Sequence, residues 1–266
     1  SHDNPYNPPH FYEALGSMSK KRHAQEVMGK VLRPSHTVWQ LEKHHIIPWH
    51  WPAHQDLQRV YGVDWGGQGH HVAIMIQVDG HGRWVVCDEL VCDEMPRGQF
   101  QQRLHSWIDS HGKAPPALIC VVRAVPAENQ ILQAYFRSTP VRWMEKKEEQ
   151  QVRRGIELVR DLMDPYDAEP SIYWSARLAQ TFSGDTAPII PAMRGYVFHL
   201  DNQGQPTDKP RKDNTNDHIC DALRYAVMGS AMMPTLHGGK RLQLPPAAPV
   251  RHDKALQAGN SGRLVH

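Results

Sequence analysis

Very little in this 266-residue sequence is present in excess. Lys and Arg total 30 against 28 for Asp and Glu, a formal charge of only +2. Global basicity therefore advertises no polyanionic partner, and any contact with nucleic acid must come from local patches. Long apolar runs are also missing. Stretches such as Ala117 to Val122 fall far short of the ~20 residues that cross a bilayer. No charged, apolar and small-residue leader opens the chain, so neither secretion nor membrane anchoring is expected. Cysteine is scarce: Cys87, Cys92, Cys120 and Cys220 form no C-x-x-C pair. That spacing excludes common zinc and redox motifs and predicts buried free thiols in a reducing compartment. No G-x-x-x-x-G-K-[ST] stretch occurs, so the chain carries no P-loop of its own.

Histidine is the exception, with 18 residues and clusters at His44-His45, His50, His54 and His70-His71. Pro48 and Pro52 interrupt the helical spacing that a zinc pair would use, so these histidines are expected at the surface. Composition divides the chain into three regions. Residues 1–57 hold a Pro-rich start, a helical stretch and a Pro/His/Trp-rich stretch, and read as a linker. Residues 58–232 alternate strand-like and helix-like patterns. Residues 233–266, with Pro234, Pro245, Pro246, Pro249 and several glycines, read as a flexible tail.

The central region opens with a strand over Arg59 to Trp65, followed by Gly66-Gly67. Strands over His71 to Val78 and Trp84 to Leu90 are joined by Asp79-Gly80-His81-Gly82, a hairpin with turn residues where they are needed. A helix from Arg97 carries Phe100, Leu104, Trp107 and Ile108 on one stripe and closes at Gly112. The continuous run Ala117 to Val122 fits a central strand covered on both faces. Next come a helix with Ile131, Leu132, Tyr135 and Phe136, a strand Val141 to Met144 and a long helix Lys147 to Met163. Strands over Ser171 to Trp174 and Tyr196 to Leu200 flank a short helix, and a last helix starts near Asn216. Three antiparallel strands followed by alternating helices and strands imply an α/β fold, a mixed sheet between helices. The opening hairpin argues against a plain Rossmann fold.

Two places carry candidate chemistry. Asp64 ends the first strand as Gly62-Val63-Asp64-Trp65-Gly66-Gly67, held at the sheet rim beside glycines that leave room for phosphate or metal. Alone, it fits a turn cap equally well. The second place is Asn216-Asp217-His218-Ile219-Cys220-Asp221-Ala222-Leu223-Arg224-Tyr225. On a helix, Asp217, His218 and Asp221 share one side. Asp217 suits a helix start, whereas Asp221 borders the apolar stripe, where an unpaired carboxylate is costly and a cation would relieve the cost.

These residues together resemble the nuclease domain of tailed-phage large terminases. The intervening sequence agrees: Gly155-Ile156-Glu157-Leu158-Val159-Arg160, then Tyr196 to Asp201, Gly204, Asp208-Lys209-Pro210 and Lys212. Upstream, Gln25-Glu26-Val27-Met28-Gly29-Lys30 and Val38-Trp39 resemble the stretch leaving a terminase ATPase, so the likeness runs from about residue 8 to 232. It implies a ribonuclease H-like fold and cleavage of double-stranded DNA when packaging starts and ends. It also implies a binding site for two Mg2+ or Mn2+ ions, with Asp64 bridging both and Asp221 holding one. His218 falls where similar enzymes keep an auxiliary ligand or a proton-handling group. The implied partners are double-stranded DNA, an ATPase domain in the full-length chain, the portal and the small terminase subunit, in the host cytoplasm.

One position departs from that pattern. Where the family carries an aspartate just after the strand that follows the first helix, this sequence has Arg123. A guanidinium cannot bind a cation. An impaired site with one ion or none is expected, unless Glu128, Asp88 or Glu89 substitutes. Candidate DNA contacts are Lys146-Lys147, Arg153-Arg154 and, beside the proposed site, Lys209, Arg211 and Lys212. The alternatives are a non-catalytic DNA- or protein-docking module of the packaging motor, and a resolvase- or transposase-type enzyme on the same fold.

Overall fold

The computed structural model describes residues 36–54, 57–67, 69–79, 82–144, 149–165, 168–179, 181–182, 185–186 and 188–233. The tail after 233, the helical stretch near the start and Lys146-Lys147 lie outside the described residues.

Seven strands make one mixed sheet. In chain order they are β1 (Ile46–Ile47), β2 (Gln58–Asp64), β3 (His71–Val78), β4 (Trp84–Cys92), β5 (Leu118–Val122), β6 (Val141–Met144) and β7 (Ile172–Ser175). Their order across the sheet is β1-β7-β4-β3-β2-β5-β6. β3 pairs antiparallel with β2 (Asp64↔Val72) and with β4, and every other pairing is parallel. All of β3 and β5 is buried, as continuous apolar runs require of central strands.

Helices cover both faces. α1 (Arg97–Ser110) and α2 (Pro126–Tyr135) lie on one; α3 (Glu149–Met163), α5 (Ile189–Gly195) and α6 (Asn216–Ala231) lie on the other, and the short α4 is Ala176–Ala179. The alternation of side chains along a strand decides which layer each β2 residue meets. Tyr61 faces α1, with the Trp107 ring edge-on at 5.6 Å, and Trp65 meets Phe100 edge-on at 5.5 Å. Gly62 and Asp64 face α6. A Cβ at Gly62 would stand 2.0 Å from the Ala222 carbonyl oxygen, so only glycine lets α6 lie this close to β2. Residues Asp217 to Ala231 of α6 are all buried, polar ones included.

Several readings need correcting. Ile131 and Tyr135 of α2 are exposed; Asn129 and Leu132 face the core, because a helix turns its neighbours about 100° away. The strand near 196–200 begins at Phe198 and forms a separate hairpin, β10 (Phe198–Leu200) with β11 (Pro206–Pro210), after the short pair β8 (Thr181–Phe182) and β9 (Asp185–Thr186). The histidines are not uniformly superficial. His45 and His71 are buried, because their ring nitrogens bond backbone: His45 with Met163 O and Glu42 N, His71 with Trp65 O and Met95 O. Buried polar rings survive when so satisfied.

Residues 36–54 pack into the same body. β1 extends the sheet beyond β7, Trp39 donates from Nε1 to Ile156 O (3.1 Å), and Arg160 donates to Val38 O (2.8 Å). All four cysteines are free and buried. Among the described residues, no helix is long and apolar enough to cross a membrane.

Candidate functional site

The packing of α6 on β2 brings the two suspected segments together. Asp64 is fully buried at the end of β2, where its Oδ1 accepts the Gly66 N–H at 3.0 Å. Its Oδ2 lies 3.1 Å from Nδ1 of His218, in the first turn of α6. The ring of His70, at the far end of the same loop, stands 5.4 Å from that of His218.

One turn along α6, Asp221 is clamped between two cations. Arg224 donates to its Oδ1 at 2.8 Å, and the Lys212 ammonium reaches its Oδ2 at 3.1 Å. Burial favours the neutral acid, but these two charges outweigh it and hold the Asp221 carboxyl below its ordinary range. The same ammonium lies 3.2 Å from Oδ2 of Asp217. Burial opposes its charge too, yet Asp221 and Asp217 raise the Lys212 pKa. Asp213, not Asp217, caps α6, accepting N–H bonds from Thr215 and Asn216. Asp217 is thereby released for the site, and its buried Oδ1 has no hydrogen-bond partner among the described residues. The hydroxyl of Tyr196 is likewise buried beside this cluster without one.

The donor chemistry suits a hard divalent cation: carboxylate oxygens, with a lysine ammonium standing between two of them and one oxygen unpartnered. However, no three His, Cys, Asp or Glu residues converge as a metal cluster among the described residues. Asp64 pairs with His218 while Asp217 and Asp221 share Lys212, two neighbouring pairs on one helix-strand seam.

The other suspected residues separate by face and edge. Arg123 is exposed immediately after β5; Val121 pairs with Val63, so positions 123 and 64 share the C-terminal rim of adjacent parallel strands. Asp88 pairs with Met75 and hence follows Tyr61 to the α1 face, where it binds Nε2 of His111 (3.0 Å) while Tyr61 OH meets Nδ1 (3.1 Å). Glu89 pairs with Ile74, opposite Gly62, and so lies on the α6 face. Its Oε2 accepts the Ile189 N–H at 2.9 Å, and burial pushes its carboxyl up to about 8. Glu128, on α2, sits 3.6 Å from Arg97. Lys209 and Arg211 are exposed on and after β11, and Arg153 pairs with Glu157 at 3.1 Å on α3, next to Arg154.

Sequence reasoning left Asp217, Arg224 and Tyr196 out of the site. The signal for Asp217 was its four-residue spacing from Asp221. For Arg224 the sequence offers only its place three residues after Asp221, and no local pattern reveals that Tyr196 reaches the cluster.

No protein-family model matches the chain, nor does any curated protein. Solved structures do match. The large terminase of a thermophilic bacteriophage is 17% identical with a TM-score of 0.63, covering 86% of this chain and 54% of its own. The chain shares its fold with about half of a phage large terminase. The same thermophilic-phage protein in complex with ATP-gamma-S gives 18% identity, 85% and 53% coverage and a TM-score of 0.62. The nuclease domain of g2p, the large terminase of bacteriophage SPP1, solved with bound Mn, is 19% identical over 65% of this chain and 86% of its own, at a TM-score of 0.46. This terminase-fold chain spans about half the length of the thermophilic-phage protein. Its sheet order, with β4-β3-β2-β5-β6 as the central run and β3 alone antiparallel, is the expected ribonuclease H-like arrangement.

Proposed function

We propose that the chain is the nuclease module of a phage DNA-packaging terminase and acts on double-stranded DNA through a divalent-metal site. The observation that carries this reading is the seam between β2 and α6. Asp64, His218, Asp217 and Asp221, up to 157 positions apart in sequence, are buried within one seam on a terminase fold. Asp64 and Asp221 are the residues that would hold Mg2+ or Mn2+, with Asp217 beside Asp221. The ion, when bound, would polarise a phosphodiester oxygen and a water. His218 orients Asp64 through the 3.1 Å bond and is positioned to handle a proton at Nδ1 or Nε2. Arg224 keeps Asp221 ionised, the form a cation needs. Exposed Lys209 and Arg211 supply phosphate contacts beside the site. On this reading the chain works with an ATPase domain, the portal and the small terminase subunit in the host cytoplasm.

A second reading has an observation of its own. Arg123 stands on the rim shared with Asp64, and the charges of Asp217 and Asp221 are already balanced by Lys212 and Arg224. Both favour a module that docks DNA without cutting it. Manganese-dependent nicking of supercoiled plasmid by the purified protein separates the two. Nicking abolished by Asp64→Asn and Asp221→Asn supports the nuclease; duplex binding with no nicking at any manganese concentration leaves the docking module.

A further inference from the structure

Asp221 is held by two cations of unequal standing. Lys212 reaches its Oδ2 with a side chain that is 55% exposed, so this ammonium is free to swing away into solvent. Arg224 is not. Its side chain is 1% exposed, and from three residues further along α6 it donates from Nη2 to Asp221 Oδ1 at 2.8 Å. The guanidinium lies 4.9 Å over the Tyr225 ring and has Met228 Sδ 3.9 Å from Nη1. Its Nε is buried with no hydrogen-bond partner among the described residues.

The fold keeps a slot for this side chain. Gly155 of α3 faces it, and a Cβ there would stand 2.5 Å from Arg224 Cγ and 2.6 Å from Cδ. Burying a guanidinium on one strong bond is costly, and an apolar side chain of similar volume would pack there as well or better. What the arginine supplies is a fixed hold on one carboxylate oxygen. Its planar fork is permanently charged, so Oδ1 stays taken whether or not Lys212 is in place. Asp221 therefore turns a single oxygen, Oδ2, towards the ammonium that Asp217 Oδ2 also meets, at 3.2 Å.

Presenting one oxygen rather than two discriminates between cations. Ca2+ gathers roughly 6–8 oxygens and readily takes both from one carboxylate, whereas Mg2+ and Mn2+ suit octahedral sites filled out by water. We infer that Arg224 is a positioning residue that sets the metal selectivity of the seam: by holding Oδ1 it makes Asp221 a one-oxygen ligand and favours Mg2+ or Mn2+ over Ca2+. The inference rests on the reading of Asp64 and Asp221 as metal-holding residues, but not on cleavage.

The test is calorimetric titration of the purified protein with Mn2+ and with Ca2+, counting only the binding that Asp221→Asn abolishes. Both ions carry the same charge, so removing a nearby positive charge moves both affinities together and cancels from their ratio. The wild type should prefer Mn2+. Arg224→Met should shift the ratio towards Ca2+ by roughly ten-fold, the lower end of what outer-shell partners contribute. Arg224→Lys, which keeps the charge and a donor, should recover part of the preference. Gly155→Ala keeps the guanidinium but displaces it, and should shift the ratio in the same direction as Arg224→Met. Should Arg224→Met fail to fold, wild-type crystals soaked in Mn2+ give the answer. Mn2+ on Oδ2 alone, with Arg224 still on Oδ1, supports the inference; Mn2+ on both Asp221 oxygens overturns it. Ratios that match the wild type in both Arg224→Met and Gly155→Ala also overturn it, while the metal reading stands. If the wild type shows no Mn2+ binding that Asp221→Asn removes, the metal reading falls and the inference with it.

Discussion

Nζ of Lys212 stands 3.1 Å from Oδ2 of Asp221, occupying with its single charge the place where a divalent cation would meet that carboxylate. Since Asp217 shares the same ammonium, removing it leaves two buried carboxylates facing one another. Lys212→Met is therefore expected to lower stability by about 1–3 kcal/mol in EDTA, less than a fully buried pair because the side chain is half-exposed. Manganese should restore the loss. Thermal unfolding reads the outcome: a larger manganese-induced rise in Tm for the variant than for the wild type is expected, and equal rises would mean that no cation binds there.

Arg123 lies on the rim shared with Asp64, and a fixed positive charge near a cation site disfavours the cation. The protein as it stands should bind at most one manganese ion and cut DNA slowly or not at all. Arg123→Asp should add a second ion by calorimetry and speed plasmid nicking about 100-fold or more, a barrier change of roughly 3 kcal/mol. Brisk cutting by the unaltered protein, unchanged in the variant, would show that position 123 is not the missing carboxylate.

Most of the sheet was legible in the sequence because its strands are bounded by turn residues and carry apolar runs, as β3 does from Val72 to Ile76. Helix α6 was legible from Ile219, Ala222, Leu223, Ala226 and Val227 at helical spacing, and its pairing with Asp64 followed from the terminase likeness. What the sequence hides is long-range. No periodicity tells that His45 will bond Met163 O, or that two residues, Ile46 and Ile47, will join β7. Lys212 sits in a run of basic residues, Lys209, Arg211 and Lys212, that reads as one DNA patch. Only the turn into α6 sets the ammonium of Lys212 against Asp217 and Asp221, although its side chain is as exposed as that of Arg211.

Gly62 tests whether the seam depends on backbone contact. A methyl group there would meet the Ala222 carbonyl oxygen at 2.0 Å and the Ala226 Cβ at 2.9 Å, so α6 has to move off β2. Gly62→Ala should cost about 1–3 kcal/mol or more by urea unfolding, the range of an overpacked core. It should also weaken manganese binding, because Asp64 and α6 part company. An unchanged urea midpoint would show that the helix accommodates the methyl group without shifting.

Glu89 gives the contact between β4 and α5 a pH dependence. Its carboxyl is raised to about 8 in the folded chain, from an ordinary 4.5, mainly because it is buried; the Ile189 N–H only partly offsets this. Below the ordinary carboxylate range both folded and unfolded chains hold the proton, and Glu89 contributes its full stability. As pH rises toward 8 the unfolded chain ionises freely while the folded chain does not, so the unfolded state gains and stability falls. The loss saturates once the folded carboxyl ionises as well. Across that window the loss amounts to roughly 5 kcal/mol, which Glu89→Gln removes while keeping an acceptor for the Ile189 N–H. Urea unfolding of both proteins at pH 5, 7 and 9 measures it directly. The variant should match the wild type at pH 5 and exceed it at pH 9, and curves that stay parallel would place the Glu89 carboxyl in its ordinary range.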